Sequence, residues 1–300
     1  MAANALLILP DFALILFGWL LARAFSERYG RAFWAGAEQL VYYLLFPALL
    51  FTSINAAQFS IAADTSLVAA AVAAFLCAVA LGFAARPLLH PPPEVFAGCV
   101  QTAFRFNSYI AFALAQSLLG ARGVALLALV MSVAVPLANL FAVYALARER
   151  RTGLARELAT NPLLIATVAG LATNLLDWRL PGIAATFLGR LGAASIALGL
   201  LCIGAGLTLT AAQARPLTLG YFIAVKLVAY PAVAFALARA LHLPDAQATL
   251  LVLFAALPTA PSAYVLTARM GGHAAPVAFV ITAQTLLAML TLPLWLSLTR

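Results

Sequence analysis

The sequence predicts an all-α integral membrane protein: ten transmembrane helices arranged as two inverted five-helix repeats, with the fourth and ninth helices broken. Three observations carry this. First, 65% of the 300 residues are hydrophobic and only 9% are charged, with a mean hydropathy of +1.05. A soluble domain is about half apolar and about a quarter charged. Second, the apolar residues fall in runs of roughly twenty without alternation, which suits helices crossing the hydrocarbon and not a membrane β-barrel. Third, Leu257-Pro258-Thr259-Ala260-Pro261-Ser262 interrupts an apolar run from about Ala246 to Ala268. Each proline lacks an N–H, and its ring clashes with the carbonyl four residues back. Open backbone at membrane depth is tolerated only when it is buried in protein or lines a cavity, and such a break is the sequence pointer to a transporter's binding site.

The spans follow in order. The first is about Leu6–Ala24. It has no basic leader and Asp11 stands early in it, so it reads as a retained helix rather than a cleaved signal; no lipidation motif and no soluble domain is expected at either end. The second is about Glu38–Ala57, with Phe46-Pro47 inside. The third is about Thr65–Ala85, the fourth about Val95–Leu119, and the fifth about Gly123–Leu146. A short basic loop, 147–160, separates the repeats 1–146 and 161–300. The sixth span, about Pro162–Leu176, is only marginally long enough. The seventh, about Ile183–Leu209, carries Gly199, Gly204 and Gly206, a signal for close helix packing or a subunit interface and not for a site. The eighth is about Leu217–Leu241, the ninth is the interrupted run, and the tenth is about Ala274–Leu298.

Arginine and lysine orient the chain. Alternate gaps hold ten (Arg23, Arg28, Arg31, Arg86, Arg148, Arg150, Arg151, Arg156, Arg215, Arg269) against five (Arg122, Arg179, Arg190, Arg239, Arg300). This puts the basic loop in the cytoplasm of a bacterial inner membrane and both termini on the outside. The net charge of +8 is therefore topological, and no nucleic-acid partner is implied. One lysine against sixteen arginines suggests a GC-rich bacterial genome. A repeat shows on either side of the loop. With small gaps, His90-Pro91-Pro92-Pro93-Glu94 matches His242-Leu243-Pro244-Asp245, Phe106-Asn107-Ser108-Tyr109-Ile110 matches Ala260-Pro261-Ser262-Ala263-Tyr264, Gly120 matches Gly271-Gly272, and Val135-Pro136-Leu137 matches Leu292-Pro293-Leu294. An odd number of spans in each half inverts one half relative to the other.

The fourth span holds Gln101-Thr102-Ala103-Phe104-Arg105-Phe106-Asn107-Ser108-Tyr109. Arg105 sits mid-run, where a charge costs about 2.5–3.5 kcal/mol and faces a cavity or partner; otherwise it snorkels to an interface. Asn107 and Ser108 bond readily to nearby backbone, which marks a second break facing Pro258, Thr259, Pro261 and Ser262. Two breaks meeting at the midplane would aim helix N-termini, positive and rich in N–H, at one point. A carboxylate or dicarboxylate is the expected cargo, with Arg105 supplying full charge; alternatively, the carbonyl ends hold a coupling cation. Lys226, within the eighth span, could carry a coupling proton or act as a fixed charge on broken-helix carbonyls. Asn139 and Gln284 line the site or bond helices together. Asp11 and Glu38 fall near span ends and read as interfacial.

Enzyme signatures are missing: there is no His-Glu-x-x-His, paired-aspartate cluster, Gly-x-Ser-x-Gly or Walker motif. Cys77, Cys99 and Cys202 are packing residues at unrelated spacings, and His90, His242 and His273 stand far apart, so no metal and no cofactor are expected beyond a coupling ion, proton or sodium.

Leu257-Pro258-Thr259-Ala260-Pro261-Ser262-Ala263-Tyr264, Arg105-Phe106-Asn107-Ser108-Tyr109, Pro136-Leu137-Ala138-Asn139 and Asn161-Pro162-Leu163-Leu164 resemble the auxin efflux carrier family, in its bacterial branch of malonate or malate permeases, across essentially the whole chain. The resemblance implies a fold like those of bile-acid symporters and sodium/proton antiporters. It also implies crossing fourth and ninth helices in a mobile domain, a scaffold of helices one, two, six and seven, elevator movement, and homodimers as in the plant relatives. The plant proteins' long cytoplasmic loop is absent, which removes their phosphorylation control and argues against auxin as cargo. The expected function is a secondary transporter of a small organic anion. The alternatives are a receptor or structural subunit without flux, and a sodium-coupled carrier of a larger amphipathic anion.

Overall fold

The computed structural model describes residues 2–56, 61–150, 160, 162–206 and 216–299. The basic loop at residues 151–159, with Arg151 and Arg156, lies outside them, as do Asn161, Arg215 and Arg300. All regular elements among the described residues are helices: α1 (Ala2–Ala24), α2 (Arg31–Ala56), α3 (Ile61–Leu89), α4 (Pro93–Cys99, continued as a 3-10 turn over Val100–Ala103), α5 (Ser108–Arg150, broken at Gly120), α6 (Pro162–Leu175), α7 (Gly182–Gly206), α8 (Pro216–Ala240), α9 (Asp245–Ala256), α10 (Ser262–Arg269) and α11 (Ala274–Ser297). Among the described residues six stretches are long and apolar enough to cross a membrane: α2, Asp64–Leu89 of α3, Arg122–Leu146 of α5, α7, α8 and α11. The 14 residues of α6 rise only about 21 Å at 1.5 Å per residue.

Prolines shape two of the long helices. α2 widens into a π turn at Val41–Leu45 and α8 at Val225–Ala229, each just before a proline, Pro47 and Pro231. A proline offers no N–H to the carbonyl four residues back and crowds it, so the helix loops out one residue. In α8 that carbonyl belongs to Leu227, and the Trp295 indole N–H of α11 donates to it at 2.9 Å.

His90 and His242 take left-handed backbone (φ 47° and 50°) just past the ends of α3 and α8, and Gly120 and Gly271 (φ 60° and 70°) do so further along each half. These are positions the sequence repeat aligns.

The helices sort into two groups by their contacts. α1 packs chiefly on α7, and α2 packs on α6 and α7. The other group gathers α3, α4, α5, α8, α9, α10 and α11, and meets the first mainly through α5. In the first group the backbones touch. A Cβ on Gly204 would lie 1.8 Å from the Ile15 carbonyl oxygen, and one on Gly18 2.1 Å from that of Leu201, so only glycine permits this approach.

Candidate functional site

The first break is built by residues that prefer not to be helical. The 3-10 turn ends at Ala103, and Thr102 Oγ1 bonds back to the Cys99 carbonyl (2.6 Å). Asn107 then caps α5: its Oδ1 accepts the N–H groups of Tyr109 (3.1 Å) and Ile110 (3.3 Å), which would otherwise lack partners at a helix start. The second break begins where Leu257 turns extended (φ −60°, ψ 140°), as the residue before a proline tends to. Helix resumes at Ser262.

The two breaks meet and satisfy one another. The Asn107 N–H donates to the Pro258 carbonyl at 2.8 Å. The Thr259 hydroxyl donates to the Thr102 carbonyl (2.9 Å) and more weakly to that of Arg105 (3.4 Å). Gln284 of α11 braces the joint: Oε1 accepts the Thr259 N–H (3.1 Å), and Nε2 donates to the carbonyls of Thr102 (3.0 Å) and Phe222 (3.4 Å). The rings of Phe106 and Phe254 pack at 4.6 Å. The Asn107 and Thr259 N–H groups and the Pro258 and Thr102 carbonyls, left open by the breaks, are thus paired across the joint, as burial demands.

Beside the joint lies a cavity of about 260 Å³ between the two helix groups. Of the residues singled out from sequence, Arg105, Ser108, Asn139, Pro261 and Ser262 line it. The remainder, Asn107, Pro258, Thr259 and Gln284, form the joint behind this wall. Lys226 is fully buried elsewhere. Its Nζ donates to the Ala255 carbonyl (3.2 Å) and lies 4.3 Å from the Tyr230 ring centre, a cation at the negative C-terminal end of α9.

Arg105 is 7% exposed. Its Nη1 donates to Gln101 Oε1 (3.0 Å) and its Nη2 to Asn139 Oδ1. Gln101 is fixed in turn by donating to Thr267 Oγ1 (2.9 Å). Two neutral amides therefore orient the guanidinium, and no carboxylate among the described residues pairs with it. Two of its five N–H donors are spent. The Nδ2 donors of Asn139 and Asn107, both buried, have no partner. A buried cation without a counter-ion is costly, and its unspent N–H donors could take an acceptor that carries negative charge.

Residues read as lying outside the site also border the cavity. Glu38, read as near a span end and interfacial, is partly exposed and also borders the cavity, two turns into α2. Gly199, read as a packing glycine, packs as expected while bordering the cavity: a Cβ there would come within 2.8 Å of the Tyr109 ring, which packs against Phe46 with ring centres 4.3 Å apart. Sequence reading missed Gln39, Tyr42 and Tyr109 as well. The signal was present in α2, where Ala35, Glu38-Gln39, Tyr42, Phe46 and Leu50 recur every three or four residues on one face. One expectation needs correction: the first turn of α5 does not leave the N–H groups of Tyr109 and Ile110 free, because Asn107 Oδ1 already accepts them.

A family model described as "Membrane transport protein" matches residues 6–296. The chain is also 27% identical, over 316 aligned positions covering 95% of it and 92% of the relative, to a protein of Rhizobium meliloti (strain 1021) named "Putative malonate transporter".

Proposed function

Because the chain belongs to the auxin efflux carrier family of membrane transport proteins, we propose that it is a secondary transporter of a small organic anion, a carboxylate or dicarboxylate. The observation that carries this is Arg105: a guanidinium held by Gln101 and Asn139, without a carboxylate, on the wall of a cavity with room for such a cargo. Ser108 and Ser262 stand at the starts of α5 and α10, where the helix dipole favours negative charge, and the relative's name points to malonate. Asn107, Pro258 and Thr259 hold the two halves of the seat together, and Gln284 braces them. Lys226 serves as a fixed cation on α9.

The same reading gives ten spans as two inverted five-helix units, 1–146 and 161–300, with the interrupted segments as crossing helices. It is supported by the matched breaks and by the matched left-handed positions at His90, His242, Gly120 and Gly271. An elevator movement is supported by the two helix groups, which enclose the cavity and share mainly α5. The group of α3, α4, α5 and α8 to α11 would move, in a bacterial inner membrane.

Uptake of labelled malonate and malate into proteoliposomes tests this. Saturable uptake is expected for the native protein, its loss in Arg105→Ala, and a reduction in Asn107→Ala. Undiminished uptake in both variants removes the site assignment, and binding without flux returns the protein to the receptor class.

A further inference from the structure

A second tie joins the two broken segments, and it ends on the guanidinium. Gln101, on the 3-10 turn that continues α4, is fully buried. Its Nε2 faces three acceptors: Thr267 Oγ1 (2.9 Å), the Gly98 carbonyl (3.2 Å) and the Ala263 carbonyl (3.4 Å). Three oxygens around one end of an amide require the nitrogen there. The Oε1 end must then point the other way, to Arg105 Nη1 at 3.0 Å. Thr267 can accept the Gln101 N–H because its own hydroxyl donates to the Ala263 carbonyl, one turn back on α10 (2.8 Å). Hydrogen bonds therefore run in one direction, from Arg105 through Gln101 and Thr267 to the main chain of α10. The backbone makes room for Thr267 at this spot. A Cβ on Gly98 would lie 3.0 Å from the Thr267 methyl, and one on Gly272 2.7 Å from it. Two glycines, one from each half of the chain, thus clasp that side chain.

Resting on the reading of Arg105 as the anion's seat, we propose that Thr267, which does not line the cavity, is a positioning residue for the cargo: through Gln101 it fixes the guanidinium that the anion meets. An arginine side chain has much rotamer freedom to lose when it engages a carboxylate. A partner that orients it beforehand leaves less to lose on binding. Asn139 Oδ1 holds the other amino group of Arg105, but the Asn139 Nδ2 has no partner. Of the two amides that grip the guanidinium, Gln101 is the one with both ends of its amide engaged. Because Thr267 stands on α10 and Arg105 just beyond α4, the tie also holds the charge of the first break in register with the second, where Ser262 borders the cavity. Arg105, Gln101 and Thr267 all belong to the helix group assigned the movement, so the tie travels with the seat.

The test is malonate binding to the purified full-length protein by calorimetry, together with uptake into proteoliposomes. Thr267→Val keeps the branched shape and removes the hydroxyl. Its affinity should fall about tenfold, the equivalent of one net hydrogen bond. The KM for uptake should rise by the same factor with the maximal rate unchanged, the mark of binding lost equally before and during the movement. Thr267→Ser restores the hydroxyl and should bind within about twofold of the native protein. In Gln101→Met the middle link is gone, so adding Thr267→Val to it should weaken binding no further. A Thr267→Val protein with native affinity overturns the inference. So does a Thr267→Ser protein as weak as Thr267→Val, which would make the effect one of packing, and so do losses that add in the double variant. In each of these cases the seat stands if Arg105→Ala loses malonate. Native protein that binds no malonate, or an Arg105→Ala protein that binds it as tightly as the native one, overturns the seat itself. Should Thr267→Val fail to fold, Thr267→Ala, which gives its neighbours more room, is read in its place.

Discussion

Gln284→Leu probes the joint between the two breaks. Leucine keeps a similar volume and removes both polar atoms. The Thr259 N–H, on a residue with no exposed surface, loses its acceptor at 3.1 Å. An orphaned buried amide costs about 1–3 kcal/mol. The Thr102 carbonyl suffers less, because the Thr259 hydroxyl still donates to it, and the 3.4 Å bond to the Phe222 carbonyl is weak. About 2 kcal/mol is therefore expected, all of it local to the linker between α9 and α10. At 1.4 kcal/mol per tenfold this opens the linker roughly thirtyfold more often. Hydrogen exchange read by mass spectrometry should show it as faster exchange in a peptide covering Leu257 to Ala260. Thr285→Val is the control: that hydroxyl only returns to the Ile281 carbonyl of its own helix (2.8 Å), so exchange in the linker should stay as in the native protein. Linker exchange unchanged in Gln284→Leu, or equally raised in Thr285→Val, would refute the brace.

Two further substitutions separate seat from support. Lys226→Met loses one bond to a carbonyl, worth about 1.5–3 kcal/mol, and a desolvated cation–π contact of about 2 kcal/mol, but it also removes a buried charge whose desolvation costs several kcal/mol. These nearly cancel, so the melting temperature should hold and malonate affinity should stay within about threefold; a tenfold loss would assign Lys226 to the cargo. Gly199→Ala sets a methyl 2.8 Å from the ring of Tyr109, already packed on Phe46, and overpacking of this kind costs about 1–3 kcal/mol. Thermal unfolding should show the loss and its recovery in the double variant Gly199→Ala/Tyr109→Leu; a Gly199→Ala protein as stable as the native one would dismiss the wedge.

What could be read from sequence was what local chemistry decides. Pro258 and Pro261 must interrupt a helix wherever it lies, and the long apolar runs must be helices. Arg105 and Gln101 stand four apart, so one turn of helix brings them together. The other amide that holds the guanidinium, on Asn139, arrives from a different helix segment, and no pattern of spacing announces that. Nor does spacing show that Asn107 and Pro258, 151 positions apart in the sequence, share a hydrogen bond. That Glu38 borders the cavity was not legible, because hydropathy averages over a turn and hides a polar face. Glu38, Gln39, Tyr42 and Tyr43 of α2 border the cavity, while Leu40 and Leu44 are exposed and do not line it.

The tie between Trp295 and the Leu227 carbonyl has a practical consequence. Of the four tryptophans, this one donates its indole N–H to the main chain of a neighbouring helix, at the spot where Pro231 leaves an acceptor vacant. With Trp19, Trp34 and Trp178 changed to phenylalanine, the emission of the remaining fluorophore reads that bulge directly. It would give an unlabelled optical signal for any rearrangement of α8 against α11 as the carrier loads and empties.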